Sequence, residues 1–267
     1  VEHALLTDGY LRVSLDDGEL VGCADAVRAA YGEAAAYLEW PAEARRAHER
    51  EQATTSDALG FTYLPVGAEP LYDSDASEQL VHSLNAHAAL DAAECDALLP
   101  SAMDSDARSL AHLYHRWPNE PALAPLRDAT ARLRRELLHT VCEPVLSAIG
   151  ALLGLDEGAL RSRCSMRRSD NTSLLRLLQY PPLPRGTVSD DRRWGVSEHT
   201  DYELISVLHQ DRGGLELRDR RGDWRLLPHS HDVLTVIIGD MVERLSAGYS
   251  ARTGSISITQ QPFDLTV

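Results

Sequence analysis

The sequence predicts one α+β domain with a mainly β core, in which a helical N-terminal half packs around a C-terminal β-sandwich or β-barrel. Residues 1–165 are rich in alanine, leucine and acidic residues at helical spacing. Residues 166–267 instead contain short apolar runs separated by Gly, Pro and Asp. No internal repeat, linker or low-complexity tract divides the 267 residues, so we expect a single domain over the whole chain.

The helical half has recognisable boundaries. The stretch "CADAVRAAYGEAAAYLEW" predicts a helix, and Pro41 is typical of the first turn of the next one. Apolar residues recur every three or four positions from Pro121 to Leu153, where Pro144 predicts a kink or restart and Gly154 a stop. Residues 56–75 have no sustained period, which indicates a long loop with a short strand.

The C-terminal half contains several predicted strands, of a number and shortness typical of sandwiches and barrels. These are "SLLRLLQYPP", "YELISVLHQ", "GLELRDRRGDWRLL", "DVLTVIIGD" and "SISITQQP". Within the third, "RDRRGDWRL" predicts a hairpin that turns near Arg221, Gly222 and Asp223. In the first, alternation places Arg176 and Tyr180 on the same strand face.

Composition excludes several classes of function. A formal charge of -15 argues against nucleic-acid and membrane-surface partners, which require clustered basic residues. The chain has no lysine, which excludes a Schiff-base lysine and the phosphate-binding lysine of a Walker loop. The four cysteines form no C-x-x-C pair and predict neither a zinc knuckle nor a disulfide framework.

No signal sequence or membrane-spanning run is recognisable. We therefore expect a cytoplasmic protein, and the sequence leaves its oligomeric state open.

One pair of residues suggests metal chemistry. His199 and Asp201 flank Thr200 just before an alternating apolar run. Residues at i and i+2 of an extended chain point the same way, so an imidazole nitrogen and a carboxylate oxygen could share a metal ion. The alternative is an exposed turn with an Asx-type cap.

The order of these segments resembles the Fe(II)/2-oxoglutarate-dependent dioxygenases of the isopenicillin N synthase-like superfamily. The resemblance covers nearly the whole chain through "DGYLRV", "YLEWPAEARR", "GFTYLP", "LLRLLQYPP", "HTDYELISVLHQDRGGLEL", "IIGDMVERLSAGY" and "SISITQQP". It implies a double-stranded β-helix, a jelly-roll barrel with Fe(II) at its open end. It also implies that His199 and Asp201 are two iron ligands, with 2-oxoglutarate and O2 at other positions.

The third ligand of that family, a histidine, is expected near the join of Ala251 and Arg252, but residues 239–267 contain no histidine. Three explanations stay open: a stretch is missing from this sequence, the ligand has been lost, or another histidine replaces it. The possible replacements are His209, His229 and His231. Each lies on or before a strand other than the expected one, and His209 is ten residues beyond His199, too far along the same strand to close the same site.

The resemblance also suggests residues for 2-oxoglutarate and substrate. Tyr180 and Ser255 match positions that contact the co-substrate carboxylates, whereas Arg252 is one residue out of register with the family arginine and needs a β-bulge to reach it. Arg176 is expected to bind a substrate carboxylate or to pair with a structural acid such as Asp240. The aromatic residues of "GFTYLP" either overhang the iron or simply pack.

The function that these features imply is oxidation of a C–H bond in a small metabolite or natural-product intermediate, by hydroxylation, desaturation or ring formation. Two alternatives stay open. One is an iron oxidase of the isopenicillin N synthase type that does not use 2-oxoglutarate. The other is a catalytically silent barrel that lacks the distal histidine and binds a small anion.

Overall fold

The structure is a computed structural model that describes residues 7–49, 60–68, 81–87, 90, 92–99, 101–156, 158–160, 173–181, 196–219, 221–247 and 256–258. Its α-helices are α1 (Val21–Leu38), α2 (Ala42–Arg46), α3 (Ala92–Leu98), α4 (Ser105–Tyr114), α5 (Ala124–Leu137), α6 (Glu143–Leu152) and α7 (Asp240–Leu245). Its strands are β1 (Tyr10–Ser14), β2 (Thr62–Leu64), β3 (His82–Ala86), β4 (Leu175–Gln179), β5 (Val196–His199), β6 (Ile205–His209), β7 (Leu215–Arg218), β8 (Trp224–Leu226), β9 (Val233–Ile238) and β10 (Ile256–Ile258).

The boundaries of α2 and α6 lie at the proline and glycine residues that predicted them. Pro41 caps α2, and Pro144 is the second residue of α6. A π-helical turn, Leu138–Cys142, joins α5 to α6, so the restart predicted at Pro144 is confirmed. Gly154 has φ +67° just after α6, the left-handed conformation that ends many helices.

The described strands form three antiparallel sheets, with orders β1-β9-β6, β5-β10-β7-β8 and β2-β3-β4. The predicted mixture of helices and antiparallel strands is confirmed. The predicted hairpin is confirmed as well, because Arg218 of β7 lies opposite Trp224 of β8 and the Asp219 N–H donates to the Asp223 carbonyl at 2.9 Å. Gly222 supplies the positive φ of this turn, +90°.

Strand β9 is buried on both faces. Leu234, Val236 and Ile238 join a cluster with apolar residues of α6, whereas Ile237 packs with Leu215 and other residues of the β7–β8 region. Because alternate side chains of a strand point to opposite faces, β9 lies between the helices and the second sheet. Through β9, the second sheet, which carries His199, packs onto the helices.

The sheet β2-β3-β4 has one face against the helical half. Leu175 and Leu177 of β4 pack on clusters formed by α1 and α5. Alternation therefore places Arg176 and Tyr180 toward the opposite side, as the sequence predicts.

Three of the four cysteines lie in the described part of the chain. Cys23 and Cys95 are buried, Cys142 is half-buried, and all three are free thiols, whereas Cys164 lies outside the described residues. Within the described part of the chain, none of the helices combines the length and apolar character needed to span a bilayer.

Stability is expected to fall in mild acid because of His87, which is 7% exposed and contacts the Ser173 carbonyl at 3.2 Å through Nδ1. Burial lowers the pKa of His87 from 6.5 to about 4. Below pH 6.5, His87 is protonated in the unfolded chain but stays neutral in the folded chain until about pH 4. The free energy of unfolding therefore falls by about 3 kcal/mol by pH 4.

Urea unfolding at pH 7.5 and pH 4.5 checks this prediction. The pH-dependent loss should be smaller in His87→Gln than in the unmodified protein, because glutamine does not titrate. Equal losses in the two proteins would contradict the assignment.

Candidate metal centre

The structure brings His199 and Asp201 together. His199 is the last residue of β5 and lies opposite Ile256 of β10, and Asp201 follows in the turn that leads to β6. His199 Nε2 lies 3.4 Å from Asp201 Oδ1, and the two side chains are 20% and 19% exposed. A nitrogen and a carboxylate oxygen thus face one point that is partly open to solvent.

The surroundings of Asp201 favour its charged form. Burial alone would raise the pKa of this carboxyl, but hydrogen bonds from His199 and Ser206 and the positive charges of His199 and Arg176 outweigh it. The pKa of Asp201 is therefore lowered, so the group is a carboxylate at neutral pH. A carboxylate beside an imidazole is a donor set that suits Fe(II).

The turn that carries Asp201 is fixed against the start of α7. The Asp240 N–H donates to the Asp201 carbonyl at 2.8 Å, and the Thr200 hydroxyl donates to Asp240 Oδ2 at 3.0 Å. Gly239 permits this approach: a Cβ at position 239 would lie 2.0 Å from the Glu203 carbonyl oxygen and 2.9 Å from that of Asp201. Only glycine fits there without displacing the turn.

The three histidines considered as replacement ligands lie at the other end of β6. His209 contacts the Tyr31 hydroxyl at 3.2 Å and the His231 carbonyl at 2.8 Å, and the rings of His229 and His231 pack at 4.6 Å. His209 also belongs to β6, not to the strand of His199. The alternative in which one of these histidines replaces the third metal ligand is therefore wrong. Within the described ranges, no group of three potential metal-binding side chains occurs.

The structure describes some of the predicted co-substrate and substrate residues and not others. Arg176 donates to Asn85 Oδ1 at 3.0 Å and to Ser83 Oγ at 3.4 Å, and Tyr180 follows β4 with its hydroxyl shielded from solvent. Asp240, considered as a partner for Arg176, accepts the bond from Thr200. Two further predictions, Arg252 and Ser255, lie outside the described residues.

The aromatic residues of "GFTYLP" are packing residues. Phe61 stacks on Trp117 at 4.4 Å and is 7% exposed. Tyr63 is 2% exposed and bonds through its hydroxyl to Arg45 at 2.6 Å and to His82 at 2.9 Å. These contacts support the packing alternative, and overhang of the metal centre stays a prediction.

Four residues that support the site were not identified from the sequence. They are Ser83, Asn85, Ser206 and Gly239. The alternation in "VHSLNA" is a strand signal that could have identified β3. Its pairing with β4, some 90 residues away, has no local signal.

Comparison with known proteins identifies the segment that contains this centre. A model of the 2OG-Fe(II) oxygenase superfamily matches residues 171–254, which include Arg176, Tyr180, His199, Asp201 and Arg252. Residues 171–254 are thus similar to the 2OG-Fe(II) oxygenase superfamily. We refer to them as the oxygenase segment.

Two relatives of this chain are likewise named as 2-oxoglutarate-dependent dioxygenases. "2-oxoglutarate-dependent dioxygenase citB" of Monascus ruber is 40% identical over 85 residues, which are 31% of this chain and 26% of that protein. A 2-oxoglutarate-dependent dioxygenase of Didymella fabae is 41% identical over 136 residues, 49% of this chain and 40% of the relative. The matches thus span less than half of either relative.

Among solved structures, the full-length T7H of Neurospora crassa in complex with alpha-KG superposes with a TM-score of 0.70 at 18% identity. The match covers 98% of this chain and 72% of T7H. At this identity the likeness shows a shared fold, and it extends well beyond the oxygenase segment.

Proposed function

We propose that this protein is a non-haem Fe(II)/2-oxoglutarate-dependent oxygenase that oxidises a C–H bond of a small metabolite or natural-product intermediate in the cytoplasm. The observation that carries the proposal is the 3.4 Å approach of His199 Nε2 to Asp201 Oδ1 within the oxygenase segment. The outcome of the oxidation is hydroxylation, desaturation or ring formation. The proposed architecture is a closed double-stranded β-helix, which the three antiparallel sheets and the likeness to T7H support.

Each residue of the centre has a proposed task. His199 and Asp201 hold the iron, which when bound supplies the oxygen activation that is coupled to conversion of 2-oxoglutarate into succinate. Ser206 donates a hydrogen bond to Asp201 and so orients its carboxylate. The contact between Thr200 and Asp240 holds the backbone between the two ligands. Preorganisation of this kind keeps the donor atoms in place before the metal arrives.

The co-substrate is proposed to contact Tyr180, Arg252 and Ser255. The pairing of Ile256 with His199 supports this assignment, because Ser255 is bonded to a residue that lies directly across from the candidate ligand. Tyr180 lies at the end of β4, on the strand face away from the helices. An arginine with hydroxyl donors is a suitable set for the distal carboxylate of 2-oxoglutarate.

Two alternatives differ in their use of the co-substrate. An oxidase of the isopenicillin N synthase type would consume O2 without releasing succinate. A silent anion-binding protein would do neither. Reading the gene across the codons for Ala251 and Arg252 tests our proposal that a histidine-containing stretch is missing there.

An anaerobic titration tests the proposed function. Addition of Fe(II) and then 2-oxoglutarate to the full-length protein is expected to produce a visible metal-to-ligand charge-transfer band. The band should disappear in His199→Ala and persist in His229→Ala, a histidine at the far end of β6. Absence of the band from the unmodified protein, or its persistence in His199→Ala, would contradict the proposal.

A further inference from the structure

Arg134, in the second half of α5, has buried donors without a partner in the described part of the chain. Its Nε and Nη2 atoms are both shielded from solvent, and neither forms a hydrogen bond to a described residue. Arg45 is half-buried like Arg134, but it donates to the Trp40 carbonyl at 3.2 Å and to the Tyr63 hydroxyl at 2.6 Å. Because buried polar groups are normally hydrogen-bonded, the donors of Arg134 need an explanation.

The sequence of α5 gives Arg134 no ion pair within its own helix. Arginines on a helix pair with acidic residues three or four positions away. At those distances from Arg134 lie one threonine and three apolar residues, Thr130, Ala131, Leu137 and Leu138. The Thr130 hydroxyl donates to two carbonyls of the preceding turn, each at 2.9 Å. The helix thus provides Arg134 with no charged partner.

The neighbours of Arg134 along α5 are core residues. Leu133 is buried in a cluster with residues of α1, and Leu175 and Leu177 of β4 pack against the same cluster. Leu138, one turn beyond Arg134, is buried in the cluster that joins α6 to β9. Burial lowers the pKa of Arg134, but a guanidinium stays protonated in proteins. A positive charge is therefore held at the edge of the core.

A charge of this kind favours an anion. Removal of one member of a buried ion pair strongly destabilises a protein, because the other charge stays desolvated and uncompensated. Arg134 corresponds to the member that remains. Since the fold has already removed water from its Nε and Nη2 atoms, an anion that binds there gains an interaction with donors that need no further desolvation.

The two donors also select the shape of the anion. The N–H of Nε and one N–H of Nη2 lie on the same edge of the guanidinium plane and are parallel. Parallel donors match the two oxygens of a planar carboxylate, each of which accepts one hydrogen bond. A halide offers a single acceptor atom to both donors. This edge of Arg134 therefore fits a carboxylate better than a halide.

We propose that the Nε and Nη2 atoms of Arg134 bind the carboxylate of a small molecule on the buried side of α5. The proposal does not depend on the proposed function, because it uses neither His199 nor Asp201. Arg134 also lies outside the oxygenase segment.

Melting curves of the unmodified protein test the proposal without a substitution. Acetate replaces chloride at constant ionic strength, and acetamide serves as a neutral probe of the same shape. We expect acetate to raise the melting temperature by about 3 °C or more in a saturable manner, because a ligand of the folded chain stabilises it by mass action. Acetamide should cause no saturable rise. Equal melting temperatures in acetate and chloride would overturn the proposal.

Arg134→Met separates binding from a general salt effect. Methionine keeps an unbranched side chain but removes the charge and the donors. We expect this variant to lose the rise with acetate and to melt in chloride no lower than the unmodified protein, because an unpaired buried charge has been removed. Arg135→Met, at the exposed neighbour on α5, is the matched control and should retain the rise. A rise that persists in Arg134→Met would be a general salt effect and would overturn the proposal.

Arg134→Lys tests the paired donors while it keeps the charge. An ammonium group cannot present two parallel N–H donors in one plane, so we expect acetate to bind about tenfold more weakly than in the unmodified protein. The affinity is obtained from the acetate concentration at half of the maximal rise in melting temperature. Unchanged affinity in Arg134→Lys would show that charge alone attracts the anion and would overturn the assignment of the Nε and Nη2 atoms.

Discussion

The Asp201→Asn variant is expected to bind Fe(II) at least about 100-fold more weakly than the unmodified protein, because even the loss of groups that merely support metal ligands costs 10- to 100-fold. Asparagine has the shape of aspartate but lacks its charge, so the turn between β5 and β6 should keep its fold. Anaerobic calorimetric titration with Fe(II) measures the change.

Asp211→Asn is the matched control for this prediction. Asp211 is an exposed aspartate just after the far end of β6, where it pairs with Arg212 at 4.0 Å. Its replacement should leave Fe(II) affinity unchanged. Equal affinities in Asp201→Asn, Asp211→Asn and the unmodified protein would show that Asp201 is not a ligand.

The Gly239→Ala variant is expected to lose both stability and metal affinity. The added methyl group would lie 2.0 Å from the Glu203 carbonyl oxygen, so the backbone around Asp201 must move. Overpacking against backbone costs about 3 kcal/mol, which lowers the melting temperature by about 6–12 °C in a chain of this size. Displacement of the turn should also weaken Fe(II) binding, because it separates Asp201 from His199.

Gly213→Ala is the control, because a Cβ at Gly213 would have only an ordinary contact, 3.6 Å from the His229 Cβ. Melting curves and Fe(II) titrations of the two variants provide the comparison. If Gly239→Ala melts and binds iron like Gly213→Ala, the turn does not depend on this glycine.

The features that sequence predicted well are local ones. The hairpin between β7 and β8 follows from Gly222 and its flanking residues, and the shared face of Arg176 and Tyr180 follows from the alternation of a strand. The pairing of His199 with Asp201 follows from their i, i+2 spacing at a strand end. Each of these depends on residues that are close together along the chain.

The features that sequence did not predict depend on distant contacts. Asn85 supports Arg176 across 91 positions, and Gly239 contacts a turn that lies almost 40 residues earlier. Neither residue type indicates such a role without knowledge of which strands are neighbours. The same limit applies to His209, because the sequence does not reveal that a turn at residues 200–204 separates β5 from β6.

Anomalous diffraction at the iron edge tests the central assignment most directly. Crystals of the full-length protein prepared anaerobically with Fe(II) and 2-oxoglutarate should show one anomalous peak within bonding distance of His199 Nε2 and an Asp201 carboxylate oxygen. A peak bound by other residues, or no peak beside this pair, would contradict the account.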